Sequence, residues 1–364
     1  MKRPFLALMK LSAAARKGPL ATAVALQRLA LKSAPKPKPK PKPKPKRAKP
    51  QPKPKPKAKP KAASSPKATA AKVRRPSAGS FVDGRFSGSQ APLDYKLYTP
   101  VGSTRRRLPL VVMLHGCTQS AGDFAAGSGM NPVADEMGFL VLYPQQSTSA
   151  NLGRCWNWHR RGDQERGAGE PAAIAALTRH IIALCKANPD RVYIAGLSAG
   201  GAAAAIVGAA YPDLYAAVGV HSGLARGDIG TLRGAMAAMR NGVGASSGGK
   251  TPRPLPTIVF HGDQDNVVHP SNAGGFLLHL QRSSAVPLLS RAEQGQSPGG
   301  RSFTRSIYRH GPADVRLEDW TVHGGGHGWS GGRAFASYTD PAGPDASRAI
   351  ARFFLARRRP KTGA

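Results

Sequence analysis

The sequence predicts an α/β fold built on a mostly parallel, doubly wound sheet, and three observations carry that reading. Short continuous apolar runs at 108–116, 139–144 and 257–261 read as strands buried on both faces, as parallel sheets require. Helical spacing of apolar residues separates such runs, as over 170–186, so strands and helices alternate. Right-handed crossovers then leave a sheet covered on both sides.

The elements follow in order. The folded part starts near Ser80–Phe81, and Asp94–Tyr98 alternates as an early strand. The run 108–116 ends in a glycine turn, His115-Gly116-Cys117-Thr118-Gln119. A helix over 131–137 precedes the strand 139–144, and the helix 170–186 carries Ile174, Leu177, Ile181, Ile182 and Leu184 at helical spacing. Then come Val192-Tyr193-Ile194 as a strand, small residues 199–206 as a closely packed helix, and strands at 216–221 and 257–261. A strand over 315–322 and a helix over 346–356 close the set. The Gly- and Met-rich stretch 223–254 reads as a short cap or loop, and 285–301 as an exposed loop.

Ahead of this domain the chain changes character. Residues 1–75 hold 24 Lys and Arg and no acid, so +11 of the formal net charge of +35 belongs to the remainder (+35 less 24). Any polyanion partner therefore belongs to the N-terminal region. Residues 1–34 read as a short amphipathic helical segment. A secretory signal competes, but Lys10, Arg16 and Lys17 interrupt the apolar run that a signal needs. Residues 35–78 read as a disordered Lys/Pro-rich linker: alternating proline removes backbone donors, and the lysines repel one another. At 3.1 Å per residue the Lys-Pro tract could reach about 80 Å. It is either a solvated tether or an arm for anionic surfaces or nucleic acid, without sequence preference. The catalytic domain is assigned to 79–358 and a tail to 359–364. No apolar stretch is long enough to span a bilayer. Three cysteines allow at most one disulfide and no metal-ligand cluster.

Gly196-Leu197-Ser198-Ala199-Gly200 lies between a strand and a helix, the G-x-S-x-G setting of a nucleophile elbow. A sharp turn lifts the Ser198 hydroxyl clear of the sheet, and small neighbours let the backbone make it. Acid and histidine should follow, each at the carboxyl end of a later strand. His261-Gly262-Asp263-Gln264-Asp265 and His323-Gly324-Gly325-Gly326-His327 supply them. Loop reach selects Asp265 over Asp263 as the orienting carboxylate, and His327 over His323 as the general base. His115, His221 and His261 sit at strand ends, where a backbone hydrogen bond is the ordinary role. The oxyanion donors are assigned to the N–H groups of Ala199 and Cys117.

Leu114–Gln119, Cys155-Trp156-Asn157-Trp158, Gly196–Gly200, His261–Asp265 and Gly326-His327-Gly328-Trp329-Ser330-Gly331-Gly332 occur in this order. Together they closely resemble the esterase family named for poly(3-hydroxybutyrate) depolymerases, which includes acetyl-xylan and feruloyl esterases. The resemblance covers about residues 81–354 and implies the α/β-hydrolase fold. It supports Ser198, Asp265 and His327 as a triad, and implies cofactor-free, metal-free ester hydrolysis, usually of extracellular polymers. It therefore points to an extracellular or periplasmic location, with a cytoplasmic one as the alternative. It also suggests that Cys117 and Cys155 pair, pinning the oxyanion turn to the tryptophan loop. Cys185 reads as buried packing. Trp156 and Trp158 read either as core anchors or as an aromatic wall for substrate, and Trp329, beside the histidine, is assigned with them to substrate binding. The implied activity is that of a serine esterase of the polyhydroxybutyrate depolymerase type. Feruloyl or acetyl-xylan esterase is the alternative, and a polyanion- or surface-binding protein acting through its basic arm is the alternative of another class.

Overall fold

The computed structural model describes residues 79–88, 92–102, 107–227, 231–242 and 254–360. The chain divides into two units, Met1–Arg74 and Arg75–Ala364, and the described residues all belong to the second. The segment at 1–34, the Lys/Pro linker at 35–78 and residues 361–364 of the tail lie outside the described residues.

The strands are β1 (Ser80–Phe86), β2 (Leu93–Thr99), β3 (Leu110–Leu114), β4 (Leu140–Gln145), β5 (Val192–Leu197), β6 (Ala217–His221), β7 (Thr257–Gly262), β8 (Leu289–Gln296), β9 (Ser302–Arg309) and β10 (Val315–Val322). They form one sheet in the order β1-β2-β4-β3-β5-β6-β7-β10-β9-β8. From β4 to β10 all neighbours are parallel, while β1, β2, β9 and β8 pair antiparallel at the two edges. The central strands carry continuous apolar runs because both of their faces are covered. Val111, Met113, Tyr193 and Ala195 face one cluster, whereas Val112, Leu114, Val192 and Ile194 face the other.

The helices are α1 (Ala121–Ser128), α2 (Met130–Met137), α3 (Gly169–Leu184), α4 (Ala199–Ala210), α5 (Leu232–Asn241), α6 (Gly274–Ser283) and α7 (Ala346–Leu355). Helices α1, α2 and α7 supply buried residues to the first cluster; α3 and α4 supply the second. The doubly wound expectation is thereby met. A short parallel pair, β11 (Trp329–Ser330) and β12 (Thr339–Asp340), follows the histidine loop.

One expectation is corrected. Residues 285–301 are not only a loop, because Leu289–Gln296 is an edge strand in a hairpin with Ser302–Arg309. Its residues are nearly all exposed and polar, so no alternating apolar signal marks it. Within 223–254, Leu232–Asn241 is helical; 228–230 and 243–253 lie outside the described residues.

Strand order reverses around β3, with β4 on one side and β5 on the other. A crevice opens beyond the carboxyl ends of the strands at such a reversal. The turns after β3 and β5 meet there.

Candidate active site

Strand β5 passes into α4 through Ser198, which adopts φ 57° and ψ −120°. A left-handed φ is strained for a side chain with a Cβ, and such residues persist where the surroundings fix them. Those surroundings depend on two glycines. A Cβ on Gly196 would come within 2.3 Å of the Gly200 backbone, and one on Gly200 within 2.2 Å of the Leu114 carbonyl oxygen. Glycine at both places lets α4 lie directly against β3 and β5. The Ser198 N–H donates to the His221 carbonyl at 2.9 Å, and Ser198 is 8% exposed.

The candidate acid and base lie on the loops after β7 and β10. His327 Nδ1 lies 2.7 Å from Asp265 Oδ2. The other oxygen of Asp265 accepts the N–H groups of Val267 and Val268, both at 2.9 Å. Burial by itself would raise the Asp265 carboxyl; hydrogen bonds from His261 and His327 outweigh it and hold the group well below the usual carboxylate range. Asp265 is therefore an anion aimed at the His327 ring, which fixes Nδ1 as the protonated nitrogen and leaves Nε2 to accept.

The rival pair is also intact, but it is occupied with itself. His323 Nδ1 meets Asp263 Oδ2 at 3.0 Å, its Nε2 meets Thr304 Oγ1 at 2.8 Å, and Asp263 Oδ1 accepts the Gly324 N–H at 2.7 Å. These contacts tie the acid loop to the base loop at their roots.

His115, His221 and His261 take structural roles. The His115 Nδ1 meets the Gly116 carbonyl at 2.8 Å while Nε2 accepts the Gln146 N–H at 3.1 Å; burial pushes this imidazole down to about 4. His221 accepts the Ser330 N–H at 2.9 Å and is pushed down to about 3, by burial first and then by His261 and His327. His261 donates through Nε2 to the Val268 carbonyl at 2.8 Å, and that nitrogen lies 3.4 Å from Asp265 Oδ2.

In the turn after β3, Gly116 N–H donates to Gln119 Oε1, Thr118 N–H to the Gly153 carbonyl, and Gln119 N–H to the Gly116 carbonyl. Among the described residues, the Cys117 N–H has no acceptor. The Ala199 N–H is among the free donors that the start of a helix leaves, here at the start of α4. An ideal Cβ on Gly116 would lie only 3.6 Å from the Ser198 Cβ, so the turn stands against Ser198.

A disulfide joins Cys117 to Cys155, and Cys185 is a free, partly buried thiol. Tyr338 closes the other side. Its hydroxyl meets Thr118 Oγ1 at 3.1 Å, and its ring stands edge-on to His327 with centroids 6.4 Å apart. Thr118 and Tyr338 both have left-handed φ, 67° and 52°. The sequence reading passed over Tyr338, Gln119 and Glu170; no motif marks Tyr338, and the other two sit unremarked within a turn and a helix.

The tryptophans require a correction. Trp156 is fully buried, with Nε1 donating to the His115 carbonyl at 3.1 Å. Trp329 is equally buried and donates to Ser347 Oγ at 3.0 Å. Neither offers a face to a substrate, so both are core anchors rather than parts of an aromatic wall. Trp158, 7% exposed, packs with Ala199, Ala202, Leu224 and Val268, beside the disulfide. Glu170 holds this loop: Asn157 donates to it through N and Nδ2 at 2.7 and 2.6 Å, and Gln146 through Nε2 at 2.5 Å.

The chain is similar to known proteins. The family described as Esterase PHB depolymerase matches residues 93–285. Poly(3-hydroxyalkanoate) depolymerase C of Paucimonas lemoignei is 32% identical over 232 residues, covering 60% of this chain and 55% of that protein. The chain thus spans just over half of that relative's length. Feruloyl esterase B of Neurospora crassa is 28% identical over 238 residues, covering 60% of this chain and 80% of that one. An acetyl xylan esterase from Aspergillus awamori superposes with a TM-score of 0.58 at 19% identity, over 76% of this chain and 100% of that chain, a likeness of fold.

Proposed function

This chain belongs to the PHB depolymerase esterase family, whose match covers more than half of it, and from that premise we propose that it is a serine esterase of the polyhydroxybutyrate depolymerase type. The observation that carries the reading is Ser198, held at φ 57° on an elbow at the carboxyl edge of the parallel strands, the edge where the loops after β7 and β10 bring His327 within 2.7 Å of Asp265 and where the Cys117 turn packs against the serine. Ser198 Oγ attacks the ester carbonyl while His327 Nε2 takes its proton. The N–H groups of Cys117 and Ala199 receive the oxyanion. On collapse of the tetrahedral intermediate, His327 returns the proton to the departing alcohol. A water activated by the same nitrogen then releases the acid. Asp265 remains ionised throughout and holds the ring.

Polymeric polyhydroxyalkanoate is the proposed substrate class. Feruloyl or acetyl-xylan esters are the second reading, favoured by the likeness to feruloyl esterase B, which extends over 80% of that protein. The test is a panel of a poly(3-hydroxybutyrate) film, acetylated xylan, methyl ferulate and p-nitrophenyl butyrate, with Ser198→Ala as blank. Release of soluble acid from the film, lost in the variant, is the expected result. Hydrolysis by Ser198→Ala at the wild-type rate would overturn the mechanism. Turnover of only the ferulate or the xylan would select the second reading.

The proposal includes an oxidising compartment, extracellular or periplasmic, which the Cys117–Cys155 bridge supports because glutathione keeps cytosolic thiols reduced. Among the described residues no helix is long and apolar enough to cross a membrane. Residues 79–358 form the proposed catalytic domain. The basic segment before it is proposed as a tether that also retains the enzyme on anionic surfaces. Removing 1–78 should leave p-nitrophenyl butyrate turnover unchanged and lower retention on anionic vesicles at low salt. Lost turnover would move the domain boundary, and unchanged retention would leave a plain spacer.

A further inference from the structure

The turn that presents the Cys117 N–H is held by a side chain for which the reaction sequence above has no role. Gln119 is 2% exposed. Its Oε1 accepts the Gly116 N–H at 2.9 Å. Its Nε2 donates to Asp123 Oδ2 and the Ser337 carbonyl, both at 3.1 Å, and approaches Ser337 Oγ at 3.2 Å. Ser337 in turn donates to Asp123, from its N–H to Oδ1 at 3.3 Å and from its hydroxyl to Oδ2. Asp123 is fixed in the first turn of α1, where its own N–H donates to Ser120 Oγ at 3.0 Å.

This position needs an acceptor and a donor on one uncharged group. A carboxamide supplies both; an ionised glutamate cannot donate, and a methionine does neither well. The consequence falls on the turn. Gln119 takes the Gly116 N–H away from any substrate and so fixes the His115–Gly116 peptide, while its own backbone N–H holds the Gly116 carbonyl of the next peptide, the one that carries the Cys117 N–H. Ser337 is followed by Tyr338, whose hydroxyl meets Thr118 and whose ring adjoins His327. One buried carboxamide therefore joins the turn that holds the oxyanion donor to the segment beside the general base.

We infer that Gln119 is a positioning residue for the oxyanion hole, acting through Gly116 and Ser337 to keep the Cys117 N–H in register with Ser198. The inference rests on the reading of Ser198 as nucleophile, and Ser198→Ala tests that reading separately. Preorganised donors matter because the oxyanion forms only in the transition state, so a misplaced donor lowers kcat while ground-state binding is kept.

The experiment compares Gln119→Met and Gln119→Glu with the wild-type full chain, on p-nitrophenyl butyrate and with an alkyl boronic acid as tetrahedral analogue. Rates are normalised to the folded fraction by circular dichroism. In Gln119→Met kcat should fall about 10- to 100-fold, the range for a misplaced or missing donor. KM should stay within about twofold, and the boronate should bind weaker by the same factor as kcat falls. Gln119→Glu keeps an acceptor for Gly116 but loses the donor, and should lose part of kcat in the same pattern; it decides the matter if the methionine variant does not fold. Wild-type kcat and boronate affinity in the folded variants, with only a lower Tm, would overturn the inference and leave Gln119 as packing. A rise in KM without a fall in boronate affinity would also overturn it. If Ser198→Ala hydrolyses the ester, the functional reading fails whatever Gln119 does.

Discussion

Removing the Cys117–Cys155 bridge perturbs stability and the oxyanion turn together, and its magnitude follows from the chain. The two cysteines are 38 residues apart. In the chain-entropy treatment, closing a loop of that length removes about 13 cal/mol/K from the unfolded ensemble, about 4 kcal/mol at 25 °C. For a domain of this size each kcal/mol moves Tm by about 2–4 °C, so the ceiling is about 8–16 °C. The catalytic effect should be smaller. The Thr118 N–H still donates to the Gly153 carbonyl and Gln119 still holds Gly116, so the turn keeps two of its anchors. We expect Cys117→Ser/Cys155→Ser to lower Tm by about 5–15 °C and kcat by less than about tenfold. Thermal unfolding followed by circular dichroism, with and without reductant, measures the first effect, and p-nitrophenyl butyrate turnover the second. Thiol titration of denatured wild-type protein should find Cys185 alone. A Tm within about 2 °C of wild type would refute the loop-closure argument. Three titratable thiols in native material would refute the bridge itself.

Asp265→Asn should lower kcat by about 10³- to 10⁴-fold, because the amide oxygen is claimed by the Val267 and Val268 N–H groups and the NH2 then faces His327 Nδ1, which selects the wrong tautomer. Asp263→Asn and His323→Ala should stay within about tenfold of wild type, since that pair contacts Gly324 and Thr304 rather than the reacting groups; a dead His323→Ala would reverse the assignment of the base. Glu170 contributes one pH dependence to folding. Burial, with Asp163 beside it, pushes its carboxyl up to about 7, against the opposing hydrogen bonds from Asn157 and Gln146. The folded state then keeps the proton longer than the unfolded chain does. Stability is therefore highest below the unfolded value of 4.5 and falls as pH rises towards 7. The ceiling is about 3 kcal/mol, reduced by the part of the side chain that remains solvated. Denaturant titrations at pH 5 and pH 8 should show the loss in wild type and a flatter profile in Glu170→Gln; identical profiles would contradict it.

What the sequence made legible followed the physics of burial. Strands covered on both faces, such as Leu110–Leu114 and Val192–Leu197, carry unbroken apolar runs and could be read directly. The edge strand Leu289–Gln296 could not, because pairing on one side and solvent on both faces impose no apolar pattern. Helix α1 was missed for a related reason: its eight residues include two glycines, and its start is marked only by the Ser120 cap. At the site, Ser198, Asp265 and His327 follow strands in a fixed order, so spacing pointed to them. The hydrogen-bonding duties of the Cys117 turn were hidden, since backbone donors have no side-chain signature. The tryptophans show the opposite limit. A Cys-Trp-Asn-Trp motif near a nucleophile suggests a binding wall, yet Trp156 spends its indole N–H on the His115 carbonyl and is sealed in the core.

The most direct test of the account asks which atom becomes acylated. The full-length protein is treated with a fluorophosphonate, digested, and the modified peptide sequenced by mass spectrometry, with Ser198→Ala and His327→Ala in parallel. The account predicts a single stoichiometric adduct on Ser198, none in Ser198→Ala, and labelling slowed by about 10³-fold or more in His327→Ala because the hydroxyl has lost its base. An adduct on any other residue, or full-rate labelling without His327, would contradict it.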